Sequence, residues 1–125
     1  MNLLLDTHVV LWLLAGDKTL RIPARRVIEA ADTVFVSSIT PWEVTIKVGL
    51  GKLDVDLGRF DAELARMAFV PLPVTWAHAR ALRHLPRLQG DPFDRMLVAQ
   101  TVAENMPLLT ADAALAAYSP LVTVV

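Results

Sequence analysis

Met1-Asn2-Leu3-Leu4-Leu5-Asp6-Thr7-His8 opens the chain with three leucines closed by an acid. A leucine run this short, with no polar alternation, reads as a strand buried on both faces, the kind found in a parallel sheet. The helix predicted over residues 7–14, with Asp6 or Thr7 suited to cap it, follows at once. The pattern then repeats. Thr33-Val34-Phe35-Val36-Ser37 is a β-branched second strand. Residues 69–72 form a third, weakened by Pro71 and Pro73, with a fourth over 107–110 and a fifth over 121–125. Helices fill the gaps: 24–31 with Pro23 at its first position, one that starts at Thr40-Pro41-Trp42-Glu43 and ends at Gly49 and Gly51, then 57–68, 75–85, 92–105 and 112–118. On the 57–68 helix Phe60, Leu64, Met67 and Ala68 share one stripe. Strands alternating with helices imply crossover units and a largely parallel α/β sheet.

Four acids fall just after an apolar run or in the first turn of the helix that follows. Asp6 closes strand one, Glu43 follows strand two, Asp94 lies in Asp91-Pro92-Phe93-Asp94, and Asp112 follows Leu108-Leu109-Thr110. In a parallel sheet the carboxyl ends of all strands share one edge, where ligands collect. Acids far apart in sequence are thereby predicted to converge. Carboxylates that close repel unless a cation joins them, and hard oxygen donors suit Mg²⁺ or Mn²⁺. The pattern points to metal-dependent chemistry on phosphates, with one metal or two about 4 Å apart activating water. Each acid also has a purely local role open to it. Thr40 and Glu43 have the spacing of a capping box, and Asp6, Asp91 and Asp112 suit helix caps. Thr7, Ser38 and Thr110 place small hydroxyls at the same strand exits, fit to orient water or phosphate or to serve as turn residues.

Composition sets bounds. The sequence has 125 residues, 54% hydrophobic, with net charge −1 and no cysteine. One compact domain over 1–125 is expected, without disulfides or thiolate chemistry and consistent with the cytoplasm. The amino-terminal stretch has no basic region before its leucines and does not read as a signal peptide. No apolar run nears the ~18 residues of a membrane span. The charge gives no support to a generally basic nucleic-acid binder, so a polyanionic substrate must meet a local patch, a metal or a partner.

The three histidines, His8, His78 and His84, lack zinc-ligand spacing. No glycine-rich phosphate loop is present. Lys47 and Lys52 form one basic group, and Arg80, Arg83, Arg87 and Arg95 another, either a solvated surface or a track for a phosphate backbone. Trp12, Trp42 and Trp76 lie on predicted helices, where packing is the expected role. The helix Val9-Val10-Leu11-Trp12-Leu13-Leu14 is apolar nearly all round, so it is either deeply buried or covered by a partner.

Taken in order, Leu3-Leu4-Leu5-Asp6-Thr7-His8, Ser37-Ser38-Ile39-Thr40-Pro41-Trp42-Glu43 with Ile46-Lys47 and Gly51-Lys52-Leu53, Asp91-Pro92-Phe93-Asp94-Arg95 and Leu108-Leu109-Thr110-Ala111-Asp112 resemble the PIN-domain ribonucleases. Within that family the likeness is to VapC-type toxins of bacterial toxin–antitoxin pairs, and it runs over essentially the whole chain. It implies a three-layer α/β/α fold with a mostly parallel sheet of about five strands, and a Mg²⁺- or Mn²⁺-dependent endoribonuclease. The family's acidic site maps onto Asp6, Glu43, Asp94 and Asp112, with Asp6 and Asp94 as the main metal ligands. Asp91 belongs to the same signature, and Thr7, Ser38 and Thr110 match the small polar positions beside the metal. RNA contacts are expected from Lys47, Lys52, Arg87 and Arg95. The resemblance also implies a homodimer held inactive by a cognate antitoxin. One departure is visible: related chains often carry basic or histidine residues just before Asp91, where this one has Gln89-Gly90.

Two other classes share an acidic pocket on a parallel sheet. A phosphoacceptor receiver module expects adjacent acids after strand one and an acceptor aspartate after strand three, where this chain has Leu72-Pro73-Val74. A haloacid-dehalogenase-like phosphatase wants a second aspartate two residues beyond Asp6, where His8 stands.

Overall fold

The computed structural model describes residues 1–88 and 90–125. Five strands, β1 (Asn2–Leu5), β2 (Thr33–Ser37), β3 (Val70–Leu72), β4 (Leu108–Thr110) and β5 (Val122–Val124), pair in the order β3-β2-β1-β4-β5, each neighbouring pair parallel. Six helices connect them: α1 (Thr7–Ala15), α2 (Ile22–Ala30), α3 (Ile39–Gly49), α4 (Leu57–Arg66), α5 (Trp76–Ala81) and α6 (Pro92–Glu104). Short 3₁₀ turns occupy Leu82–His84 and Ala113–Ala117.

Side chains alternate across a strand, and here the alternation builds two cores. Leu3 and Leu5, Val34 and Val36, and Leu109 pack with Val9, Val10, Ala24, Ile28, Val44 and Phe60 from α1 to α4. Leu4 and Leu108 turn the other way, onto Leu97, Val98 and Ala99 of α6, with Leu115, Tyr118 and Val122. Helices on both faces of one parallel sheet make three layers, as expected. The leucines of β1 are at most 1% exposed, so neither face of that strand meets water.

The differences from the predicted elements have local causes. The helix over 75–85 tightens into a 3₁₀ turn after Ala81 and ends at Leu85, which is extended at ψ 148° because Pro86 disfavours helical backbone before it. Helix α4 stops at Arg66, and Ala68 turns the chain toward β3 at φ +59°. Of the predicted stripe, Phe60 is buried, Leu64 and Met67 are half-buried, and Ala68 lies outside the helix, exposed. The Thr40–Glu43 capping box does not form. Helix α3 begins a residue earlier, Thr40 lies buried within it, and the Thr40 hydroxyl hydrogen-bonds Thr7 Oγ1 at 3.1 Å. A capping box closes α5 instead, between Thr75 and His78. Among the described residues no helix is long and apolar enough to cross a membrane.

Candidate active site

From β1 the chain steps outward to β2 and β3, then returns to β4 on the other flank of β1. That reversal opens a crevice at the carboxyl ends of β1 and β4. Asp6 leaves β1 into it, and Thr110 and Asp112 leave β4 beside it. Helix α3 brings Glu43, and the amino-terminal turn of α6 brings Asp91 and Asp94. All five acids line one pocket of about 390 Å³, together with Lys47, His8 and Trp12.

The carboxylates are not equivalent. Asp6 is only 4% exposed, and its Oδ2 accepts the Thr110 hydroxyl at 2.6 Å. Thr110 Oγ1 in turn accepts the Asp112 N–H at 3.0 Å, so one hydroxyl ties the two exits together. Burial pushes the Asp6 carboxyl above its ordinary range, against the lowering effect of Thr110 and His8. Asp91 and Asp112 cap as expected, accepting from Phe93 N at 2.7 Å and from Ala114 N at 3.0 Å, yet both also face the pocket. Asp94 is pushed up to about 7, by burial first and then by the charges of Asp6, Asp91, Glu43 and Asp112. Glu43 is buried as well. Its Oε2 accepts from Lys47 Nζ at 2.7 Å, and its Oε1 has no partner.

This donor set fits a hard divalent cation. It is all oxygen, its charges repel each other, and one buried carboxylate oxygen is unpaired. Among the described residues no three acidic or histidine side chains converge tightly enough to enclose an ion unaided. Waters would have to complete the coordination of a cation held there.

The remaining expected site residues divide. Thr110 holds Asp6. The Thr7 hydroxyl is spent on Thr40. Ser38 does not join the pocket, because its Oγ accepts the Val74 N–H at 3.1 Å and fastens the loop after β3. Lys52 and Arg87 are exposed and do not line the pocket. Arg95 is committed to its own loop: it donates to the carbonyls of Pro86 and Leu88 at 3.1 and 3.2 Å and lies over the Tyr118 ring at 5.5 Å. With α5 ending at Ala81, Arg80, Arg83 and Arg87 share no helical face. Trp42 and Trp76 are 59% and 83% exposed, so neither is a core residue. Trp42 meets Phe93 edge-on at 5.0 Å. Gln89 lies outside the described residues, but Gly90 has a steric reason: a Cβ there would collide with the Tyr118 hydroxyl. Lys47, expected among the RNA contacts, lines the acidic pocket itself, where its four-residue spacing from Glu43 brings the two side chains together.

The model of the PIN domain matches residues 3–119. Comparison with curated proteins returned no match. Among solved structures, a chain of the VapBC2 complex from Rickettsia felis, bound to a DNA fragment from their promoter, superposes with a TM-score of 0.71 over 100% of this chain and 98% of that one, at 14% identity. That likeness is one of fold, while the family model spans nearly the whole sequence. The chain belongs to the PIN domain family of divalent-metal nucleases.

Proposed function

We propose that this PIN domain is a Mg²⁺- or Mn²⁺-dependent endoribonuclease, the toxin of a toxin–antitoxin pair, folded as one domain over 1–125 and working in the cytoplasm. The observation that carries the reading is the convergence of Asp6, Glu43, Asp91, Asp94 and Asp112 on one crevice, a crowding that raises the Asp94 carboxyl to about 7. A bound cation removes that penalty. In this reading Asp6 and Asp94 would hold the metal, while Glu43 and Asp112 complete the site and position the attacking water, whose proton one carboxylate accepts. Asp91 caps α6 and directs its positive helix end at the site. When bound, the cation polarises the scissile phosphate and lowers the pKa of a water. Lys52 and Arg87, both exposed, are left to meet the RNA backbone.

The partner assignments have separate support. The VapBC2 likeness favours an antitoxin. Half-buried Leu11, Trp12, Leu13 and Leu14 on α1, and exposed Trp42 and Ile46 on α3 with Leu50 just past its end, favour a covering partner or second copy.

The test is cleavage of a mixed RNA pool by the purified chain with Mg²⁺, with Mn²⁺ and with EDTA, beside Asp6→Asn. We expect metal-dependent cutting that the variant lacks. Full activity in Asp6→Asn, in preparations free of other nucleases, would overturn the site. Folded, inhibitor-free protein that cuts nothing would overturn the activity.

A further inference from the structure

The Glu43–Lys47 pair has its carboxylate buried, where the His78–Glu104 pair buries the imidazole and leaves the carboxylate half in solvent. Arg66–Glu63 is largely exposed, with the arginine side chain 72% accessible, and contributes little. Glu43 is 5% accessible and Lys47 31%, with Nζ at 2.7 Å from Oε2. A buried carboxylate deprived of its partner is costly, so Lys47 cannot swing into solvent without stranding Glu43. The two carboxylate oxygens therefore differ. Oε2 is taken by the ammonium, and Oε1, buried and unpartnered, is left to the pocket.

Resting on the metal reading of this pocket, we infer that Lys47 is a positioning residue that fixes Glu43 and restricts the pocket to a single divalent cation. Two-metal sites place their ions about 4 Å apart, which requires carboxylates shared between them. Here Glu43 Oε2 already accepts from a positive charge, so this carboxylate has one oxygen left to offer, not two. A second dication on that side would have to displace the ammonium or sit against it. The hydrogen bond of Lys47 to Glu43, and then the charges of Glu43, Asp91 and Asp94, raise its pKa against partial burial. It thus stands as a fixed monovalent charge in the lining of the pocket, where a second dication would meet it.

The experiment is titration of the full-length chain with Mn²⁺ in the absence of RNA, following heat release and the spin-resonance signal of free Mn²⁺. The wild type is expected to bind one Mn²⁺ per chain. Lys47→Met, which keeps length and removes charge, is expected to bind two, and Lys47→Arg, which restores charge, to return to one. A general packing role would not change stoichiometry and would not be rescued by charge alone. Two ions bound by the wild type, or one by folded Lys47→Met with unchanged affinity, would overturn this inference and leave the nuclease reading standing. No Mn²⁺ bound by any of the three would overturn the metal reading and this inference with it. Should Lys47→Met fail to fold, Lys47→Gln replaces it, and the wild-type count remains decisive.

Discussion

Helix α6 joins a cluster of polar side chains at each end, and the two clusters are built on opposite rules. Near its carboxyl end, Gln100 and Glu104 meet His78, which is fully buried. His78 Nδ1 accepts the Thr75 N–H at 3.0 Å, so its proton sits on Nε2 and faces Glu104 Oε1 at 2.7 Å. Gln100 Nε2 donates to the Leu72 carbonyl at 3.3 Å. Donors meet acceptors there, and the one unpartnered atom of the cluster, Gln100 Oε1, is neutral. At the amino-terminal end Asp94 faces four other acids, and acceptors meet acceptors. The first arrangement joins α5, α6 and β3 and asks nothing of solvent. The second is stable only with protons or a cation supplied from outside, which is how a binding site differs from a structural network.

If that contrast is right, substitutions at the two ends must separate activity from stability. Asp6→Asn should lower RNA cleavage by at least about 100-fold, since even neighbours of metal ligands cost 10- to 100-fold when altered. Its melting temperature should hold or rise, because a poorly compensated buried charge is gone. His78→Ala should do the reverse. Losing a buried ring and stranding its partners costs about 2–4 kcal/mol, or roughly 10 °C in melting temperature, with cleavage per folded molecule retained. Thermal melts and single-turnover cleavage on both variants decide the matter. Comparable loss of stability in both would mean that the acids are structural too.

Only one of the two ends was legible in the sequence. The acids stood out because each follows an apolar strand, and a parallel sheet places all strand exits on one edge. The order of elements followed from the same alternation. The His78 cluster was hidden, because the partners of His78 lie 22 and 26 residues away on another helix, and a lone histidine in Trp76-Ala77-His78-Ala79 carries no sign of them. Ser38 and Arg95 misled for a related reason. A small hydroxyl at a strand exit and an arginine beside an acidic motif look the same whether they face a ligand or a nearby backbone carbonyl or N–H. Glu43 and Thr40 had capping-box spacing, but Thr7 claimed the threonine and Lys47 the glutamate.

The two ends also differ in their response to pH. Asp94 lies at about 7 in the folded chain against an ordinary 3.8, and Asp6 is raised as well. Between those limits the folded state binds more protons than the unfolded state, so stability must fall as pH rises. Metal-free protein should therefore be most stable near the acid end of that window and lose stability through about pH 7. Asp17 and Glu63, whose pKa values are lowered, act with the opposite sign, but only in more acidic solution. Urea midpoints in EDTA across this range should slope downward, flatten in Asp94→Asn, and recover with Mn²⁺, most strongly at high pH, because metal and proton compete. A flat wild-type profile would show that the acids are solvated and not crowded.

The smallest expected effect is also the most discriminating, because it alters the pocket without removing a charge. Thr110 donates to Asp6 and accepts from the Asp112 backbone, so Thr110→Val keeps the shape and deletes both bonds. Its stability cost should stay within about 1–2 kcal/mol. The hydroxyl works against burial to lower the Asp6 pKa, so its loss must raise that carboxyl further. A carboxylate has to shed its proton before it can hold a metal. Cleavage at neutral pH should then fall about 10-fold, with the acidic limb of the pH–rate profile moved to higher pH and activity regained in alkaline solution. If Thr110 served only packing, the whole profile would drop without moving along the pH axis. A displaced limb with an unchanged plateau would instead mark Asp6 as the group that must ionise, and Thr110 as the residue that sets when it does.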